Sequence, residues 1–244
     1  MSKSSQKILP VVVIACQVFE SLLQKFLPPN IAEQTTFLDY GLHVVPKKLT
    51  TELQAVIDTV ETPSLIILGY GLCGNGLKGI QARQHTLIIP KTDDCIAILL
   101  GSYAAYQEIF TTEPGTYYLT KGWLEAGSNP LAEYRGYVEK YGQSKADMVM
   151  DMQYQHYTRL MFVAHDPAEF DYYREQVAEI AQYCERWGMR YEERLGDDRY
   201  IQDLVDLVNL QQHQGTAALP NLLTDKFVFV PPAGEIEQNM FLHV

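Results

Sequence analysis

The stretch Pro63 to Gly79, PSLIILGYGLCGNGLKG, decides the fold and carries the candidate chemistry. Ser64 to Leu68 is a short apolar run with Pro63 before it and Gly69 after it. That is the pattern of a strand buried on both faces, as in a parallel sheet. Gly69, Gly71, Gly74, Gly76 and Gly79 follow within eleven residues. Such a loop adopts positive φ readily and lets backbone approach a ligand or a neighbouring strand. Gly71, Gly74, Asn75 and Gly76 are therefore expected to present N–H groups to an anion. Cys73 sits among them, a thiol on a glycine-rich loop at the end of a buried strand. The competing explanation is a tight strand-to-helix connection around a small buried residue.

Outward from this stretch, strands and helices alternate. Leu9–Ala15 reads as a first strand, followed by Cys16 and a helical stretch from Val18 to Phe26 that Pro28 and Pro29 end. An extended piece is expected between Thr35 and Val45, a break at Pro46, and a helix over Leu49–Val60. Thr86–Pro90 (TLIIP) is the next strand, and Asp93 and Asp94 are candidate caps for a helix from Cys95 through Leu100. Past a tyrosine-rich middle, Arg159–Ala164, Met189–Arg194 and Lys226–Val230 read as strands. Ala168–Trp187 and Tyr200–Leu210 read as helices. Within the middle, Thr116–Leu119 reads as a strand, Lys121–Pro130 as a loop, and Leu131–Tyr141 and Lys145–Tyr157 as helices. The pattern predicts an α/β fold, a parallel doubly wound sheet in two lobes with a cleft at the strand carboxyl ends. The expected division is 1–115 for a first lobe, 116–157 for a connecting segment and 158–244 for a second lobe.

Composition excludes several function classes. Hydrophobic residues make up 47% and charged residues 20%, a globular balance. A net charge of −11 and a pI near 5.0 argue against a nucleic-acid surface or binding to an anionic membrane. The N-terminal run Ile8–Cys16 is short and interrupted by Pro10, which disfavours a signal peptide or a lipoprotein signal ending at Cys16. The expected location is the cytoplasm. Four cysteines in a chain of 244 residues do not form a disulfide framework, and reduced thiols fit better.

Three of those cysteines have a common placement. Cys16 follows the first strand, Cys73 the third and Cys95 the fourth. With strand order 2-1-3-4, strands one, three and four are neighbours about 4.8 Å apart, and their carboxyl ends share one edge. The three thiols are then expected to converge, as thiolates favoured by helix starts and by loop N–H groups. Three thiolates without a convincing fourth ligand suggest an iron–sulfur cluster with one open iron, or zinc completed by His or water. His85, Asp93, Asp94, His165 and Asp166 are secondary candidates for that centre. Lys121, Trp123 and Glu125 are expected on a loop able to close over a pocket. Cys184, within a long helical stretch, is expected to be packing.

The blocks GYGLCGNGLKGI, LIIPKTDDCIAILLGS and PGTYYLTKGWLEAG together resemble the domain-of-unknown-function family 1638 of bacteria and archaea. The resemblance covers Val11 to about Gly234. It carries no activity, but it implies a link to one-carbon or corrinoid metabolism, and with it a protein of a corrinoid system as a partner. Three functions follow as alternatives. The first is a metal protein on Cys16, Cys73 and Cys95. The second is a metal-free thiol enzyme acting on a small anionic molecule, with Cys73 or Cys95 as nucleophile and the glycine loop as cradle. The third is an accessory module that holds a cofactor for a partner, with a second copy of the chain as a further partner. No phosphate-binding G-x-x-x-x-G-K-[ST] motif and no serine-hydrolase motif is present.

Overall fold

A computed structural model describes residues 8–214 and 225–243. Residues 1–7, which precede the signal-like run Ile8–Cys16, lie outside the described residues. The chain divides into two compact units, the first formed by 1–103 with 198–244 and the second by 104–197.

The first unit is built on a five-stranded sheet. Its elements in chain order are β1 (Val11–Cys16), α1 (Glu20–Phe26), α2 (Pro29–Ala32), β2 (Thr36–Leu38), α3 (Pro46–Asp58), β3 (Leu65–Gly69), β4 (Thr86–Pro90) and α4 (Ile96–Leu99). The second unit follows with α5 (Tyr103–Thr112), β5 (Thr116–Thr120), α6 (Lys121–Glu125), α7 (Pro130–Tyr141), α8 (Gln143–Tyr154), β6 (Arg159–Ala164), α9 (Pro167–Cys184) and β7 (Arg190–Leu195). The chain then returns to the first unit as α10 (Arg199–Gln214) and β8 (Phe227–Val230).

The first sheet has the order β2-β1-β3-β4-β8. β1 pairs in parallel with β2 and β3, and β3 with β4, so the expected order 2-1-3-4 holds. Every residue of β3 and β4 is buried, which accounts for their continuous apolar sequence. α3 buries Leu49, Leu53 and Ile57, spaced by four, on one face. Pro46 opens this helix at its first turn, where its missing N–H costs nothing, instead of preceding it as a break. The extended piece expected up to Val45 is only three residues long, and a 3-10 turn at Tyr40–Val44 takes the rest.

Two corrections concern the division of the chain. The segment 116–157 is no connector: β5 pairs with β6 and β6 with β7 in a separate three-stranded parallel sheet. The segment 158–244 is not one lobe either, because β8 lies antiparallel on β4, with Leu87 opposite Val230 and Pro90 opposite Phe227. β4 is apolar on both faces and needs a partner on each side, and FVFV supplies one. Gly79 and Ala82 donate to the carbonyls of Ile236 and Gly234, and Ile236 donates to that of Ile80, which ties the segment after β8 to the end of the glycine-rich loop.

The second unit is capped as its sequence dictates. Asn129 accepts from Ala132 N–H before α7, Asp166 accepts from Ala168 N–H before α9, and Pro130 and Pro167 occupy the first turns. α9 buries Tyr173, Val177, Ile180 and Cys184 along one stripe against Leu160 and Phe162 of β6. Its outer strand β7, RYEERL, is mostly exposed, and its charges blunt an open sheet edge.

Candidate thiol centre

Cys16 is the last residue of β1, Cys73 lies four residues past the end of β3, and Cys95 precedes α4. The parallel pairing puts all three at the carboxyl edge of the first sheet. Beyond the strands the backbone keeps this register: Leu72 N–H donates to Thr92 C=O and Cys73 N–H to Asp93 C=O, both at 2.9 Å. Gly71 permits that approach, since a Cβ there would sit 2.5 Å from the Asp94 carbonyl. Cys73, Gly74 and Asn75 are consecutive left-handed residues, with φ of 50, 62 and 71°. For Cys73 and Asn75 this is an uncommon conformation, and it turns the chain so that the thiol faces inward.

The sulfurs meet. Cys73 Sγ and Cys95 Sγ are 3.7 Å apart, and Cys16 is close enough to both to shift their acidities. All three side chains are buried, 6 to 8% exposed, and none is in a disulfide. The Cys95 thiol is pushed well below its ordinary value, first by the hydrogen bonds from Cys16 and Cys73, against burial, and further by the Gly71 N–H and the field of His43. Cys16 and Cys73 are pushed up by those same bonds and by burial, and Val18 N–H donates to Cys16 against that rise. The three thiols thus act on one another, with Cys95 pushed down and Cys16 and Cys73 pushed up. No group of three or more His, Cys, Asp or Glu side chains among the described residues is arranged as a metal-ligand set. The sulfurs hold one another.

The expected source of thiolate stabilisation is corrected here. α4 has four residues, and Cys16 leads into a 3-10 turn, so neither helix start offers a substantial dipole. Individual N–H groups and neighbouring thiols do that work instead. The glycine loop is also more tightly engaged than an open cradle. Gly71 N–H serves Cys95, Gly76 N–H donates to Cys73 C=O, and a Cβ at Gly76 would meet Leu49 at 2.7 Å. Gly74 and Asn75 are exposed at its outer turn.

The secondary candidates are placed as follows. His85 is buried at the other edge, beside the first residue of β4, and its Nδ1 accepts from Ser64 N–H, which takes it away from the thiols. Asp93 contributes its backbone carbonyl, and Asp94 Oδ1 accepts from Ile96 N–H at 2.8 Å, although the N-cap position of α4 is Cys95 itself. The Asp94 charge still adds to the rise at Cys73. His165, Asp166, Lys121, Trp123 and Glu125 all belong to the second unit. Lys121, Trp123 and Glu125 form helix α6, not a loop, and Glu125 accepts from the Tyr173 hydroxyl. Cys184 is fully buried in the second core, where burial pushes it up to about 12.

Tyr70, His43 and Asp39 escaped the sequence. Each is coupled to the centre electrostatically: the three thiols oppose ionisation of Tyr70, His43 lowers Cys95 and Asp39 raises Cys16. The available signal was the edge itself: each lies on a segment that leaves the carboxyl end of a strand, Tyr70 after β3 and the other two after β2.

The chain matches the family model described as a protein of unknown function (DUF1638) over residues 37–205, and it belongs to that family. The match contains Cys73 and Cys95 and begins after Cys16, so it is narrower than the resemblance read from the three sequence blocks. No curated protein and no solved structure matches it. No helix among the described residues is long and apolar enough to cross a membrane.

Proposed function

We propose that this DUF1638 protein binds a single soft metal ion on the thiolates of Cys16, Cys73 and Cys95. The observation that carries it is the meeting of three thiols from three strand ends, with two sulfurs 3.7 Å apart. Two thiolates on one tetrahedral zinc, each at about 2.3 Å, stand about 3.8 Å from each other. Cys73 and Cys95 therefore need almost no movement to share an ion, and Cys16 is the side chain that must shift to face it. In a [4Fe–4S] cluster each cysteine holds a different iron, which would spread the sulfurs apart. A single ion such as zinc is favoured over the cluster for that reason. A divalent ion would be held by Cys16, Cys73 and Cys95 as thiolates, so its uptake would release thiol protons. Four free thiols suit a reducing compartment such as the cytoplasm. In the corrinoid setting that the resemblance implies, such an ion would serve as a Lewis acid.

Protein produced without oxygen and analysed for metals and acid-labile sulfide tests this. The expected result is about one zinc or iron per chain without sulfide. Sulfide in proportion to iron would restore the cluster. Absence of metal even after incubation with zinc, with every thiol titrating free, would sink the metal centre.

The Cys73–Cys95 contact favours a second reading, a dithiol that exchanges with small disulfides. Attack of Cys95 on oxidised glutathione releases one glutathione thiolate. Cys73 then displaces the second, loses its proton and closes the bond. Mass spectrometry after such treatment would detect a Cys73–Cys95 crosslink, and metal-loaded protein should resist it.

A further inference from the structure

Past β8 the chain runs back along the segments that carry the thiols. The carbonyls of Gly234 and Ile236 accept from Ala82 and Gly79 N–H, both at 2.9 Å, and Gln81 and Glu235 form an isolated antiparallel bridge. Ile236 and Phe241 are buried and anchor this run. Its far side lies on the other thiol-bearing segment. The His243 ring stacks on Tyr103, with centroids 3.5 Å apart and planes inclined by 11°, and its Nε2–H donates to Lys91 C=O at 2.8 Å. Lys91 follows β4 at the carboxyl edge of the sheet, on the connection that leads to Cys95. Its N–H is held as well, by Lys226 C=O at 2.8 Å. The same connection offers the Thr92 and Asp93 carbonyls to Leu72 and Cys73. His243 therefore completes the contacts around the two segments that bring Cys73 Sγ to 3.7 Å from Cys95 Sγ. Both thiols are buried, so a reagent larger than water reaches them only when this surround opens locally. His243 is itself exposed, and one hydrogen bond and one ring stack hold it, which makes it the weakest link.

We propose that the segment 231–243 is a strap on the thiol-bearing loops, and that undocking of His243 from Lys91 and Tyr103 is the motion that admits reaction partners to Cys73 and Cys95. This goes beyond the two readings above and holds for either, because a metal ion and a small disulfide need the same way in. Docked, the strap fixes Lys91 from its carbonyl side and, through the Thr92 and Asp93 carbonyls, steadies the glycine loop. Released, the connection 91–94 can swing away from Leu72 and Cys73 while Ile236 and Phe241 keep the rest of the segment seated.

The test labels the full chain, freed of metal by a chelator and kept reduced, with a brief iodoacetamide pulse, and maps each cysteine by mass spectrometry. Labelling of a shielded thiol follows the open population when closing is fast. His243→Ala should raise the labelling rates of Cys73 and Cys95 by about tenfold, the order for one hydrogen bond and one ring stack together. Cys184, in the second unit, should keep its rate. His243→Gln, whose amide still donates to Lys91 C=O, should raise the two rates less. Unchanged rates at Cys73 and Cys95 in His243→Ala overturn the strap, as does an equal rise at Cys184, which would report general loosening. Wild-type rates equal to those of the chain unfolded in urea overturn it too, since nothing would then be shielded. Should His243→Ala not fold, His243→Gln carries the test, and rates equal to wild type count against the strap. Metal content does not enter these readouts, so failure of the metal centre and failure of the strap are told apart.

Discussion

Cys95 in the first unit and Cys184 in the second are both buried thiols, 8 and 0% exposed, yet their acidities move in opposite directions. Around Cys184 only burial acts, among aromatic and aliphatic side chains, and its thiol rises to about 12. At Cys95 the same penalty is outweighed by two thiol donors, the Gly71 N–H and the field of His43. Burial penalises charge everywhere; local donors decide whether a thiolate survives it. The first unit spends its loop geometry on such donors. The second is closed by a tyrosine cluster, with Tyr154 packed near Tyr117, Tyr157 and Trp187.

The sharpest way to break this contrast is to delete each thiol. Cys95→Ala should lower zinc affinity by more than about a hundredfold, since loss of a supporting outer-shell group alone costs 10–100-fold. Cys184→Ala should leave zinc affinity unchanged, and a competition titration with a chromophoric chelator measures both. Equal losses would mean that the centre depends on general packing.

Gly71→Ala comes next. The added methyl meets the Asp94 backbone at 2.5 Å, and neither segment can give way without breaking the Leu72–Thr92 or Cys73–Asp93 bond. A destabilisation of about 1–3 kcal/mol in urea unfolding is expected, the range for forced overpacking. Zinc uptake should fall with it. Gly74→Ala, with only Pro46 near its Cβ at 3.7 Å, should suffer mainly from its φ of +62°, and by less.

Tyr70→Phe should act in the other direction on the metal-free protein. Removing an unpaired buried hydroxyl should raise stability by about 1 kcal/mol, seen as a higher midpoint in urea. A loss of stability would mean that the hydroxyl has a partner in solution.

The smallest effect at neutral pH, nil in fact, is expected from the Cys184 titration. Its folded value, about 12, lies above the ordinary 9.0 of an unfolded thiol. The folded state therefore holds the proton longer, so this contribution is complete below pH 9 and is lost as pH rises towards 12. Stability measured from pH 8 to 10.5 should fall less steeply in Cys184→Ala, by less than about 1.4 kcal/mol per pH unit.

Much of the first sheet was legible because its strands announce themselves. Thr86–Pro90 is a strand over the range that its apolar run and flanking residues indicate, and the placement of Cys16, Cys73 and Cys95 after strand ends follows from strand order alone. The helix over Tyr103–Thr112 was not legible, because small and aromatic residues there leave one buried position, Ile109, and little periodicity. Lys121–Glu125 was equally hidden, since GWLEAG looks like a turn until Thr120 accepts from the Trp123 N–H and caps it.

By itself the sequence determined which segments are apolar enough to be inner strands and that three cysteines follow such strands, because both depend on local composition and on the fixed direction of a parallel sheet. Only tertiary structure decided that Phe227–Val230 crosses back to β4, that the acidity of Cys95 is pushed the opposite way from that of Cys16 and Cys73, and that the Tyr70 hydroxyl is buried without a partner among the described residues. Those outcomes depend on contacts between residues far apart in the chain. A thiol's acidity, in particular, is set by the few donors within hydrogen-bond reach, and strand periodicity carries no record of them.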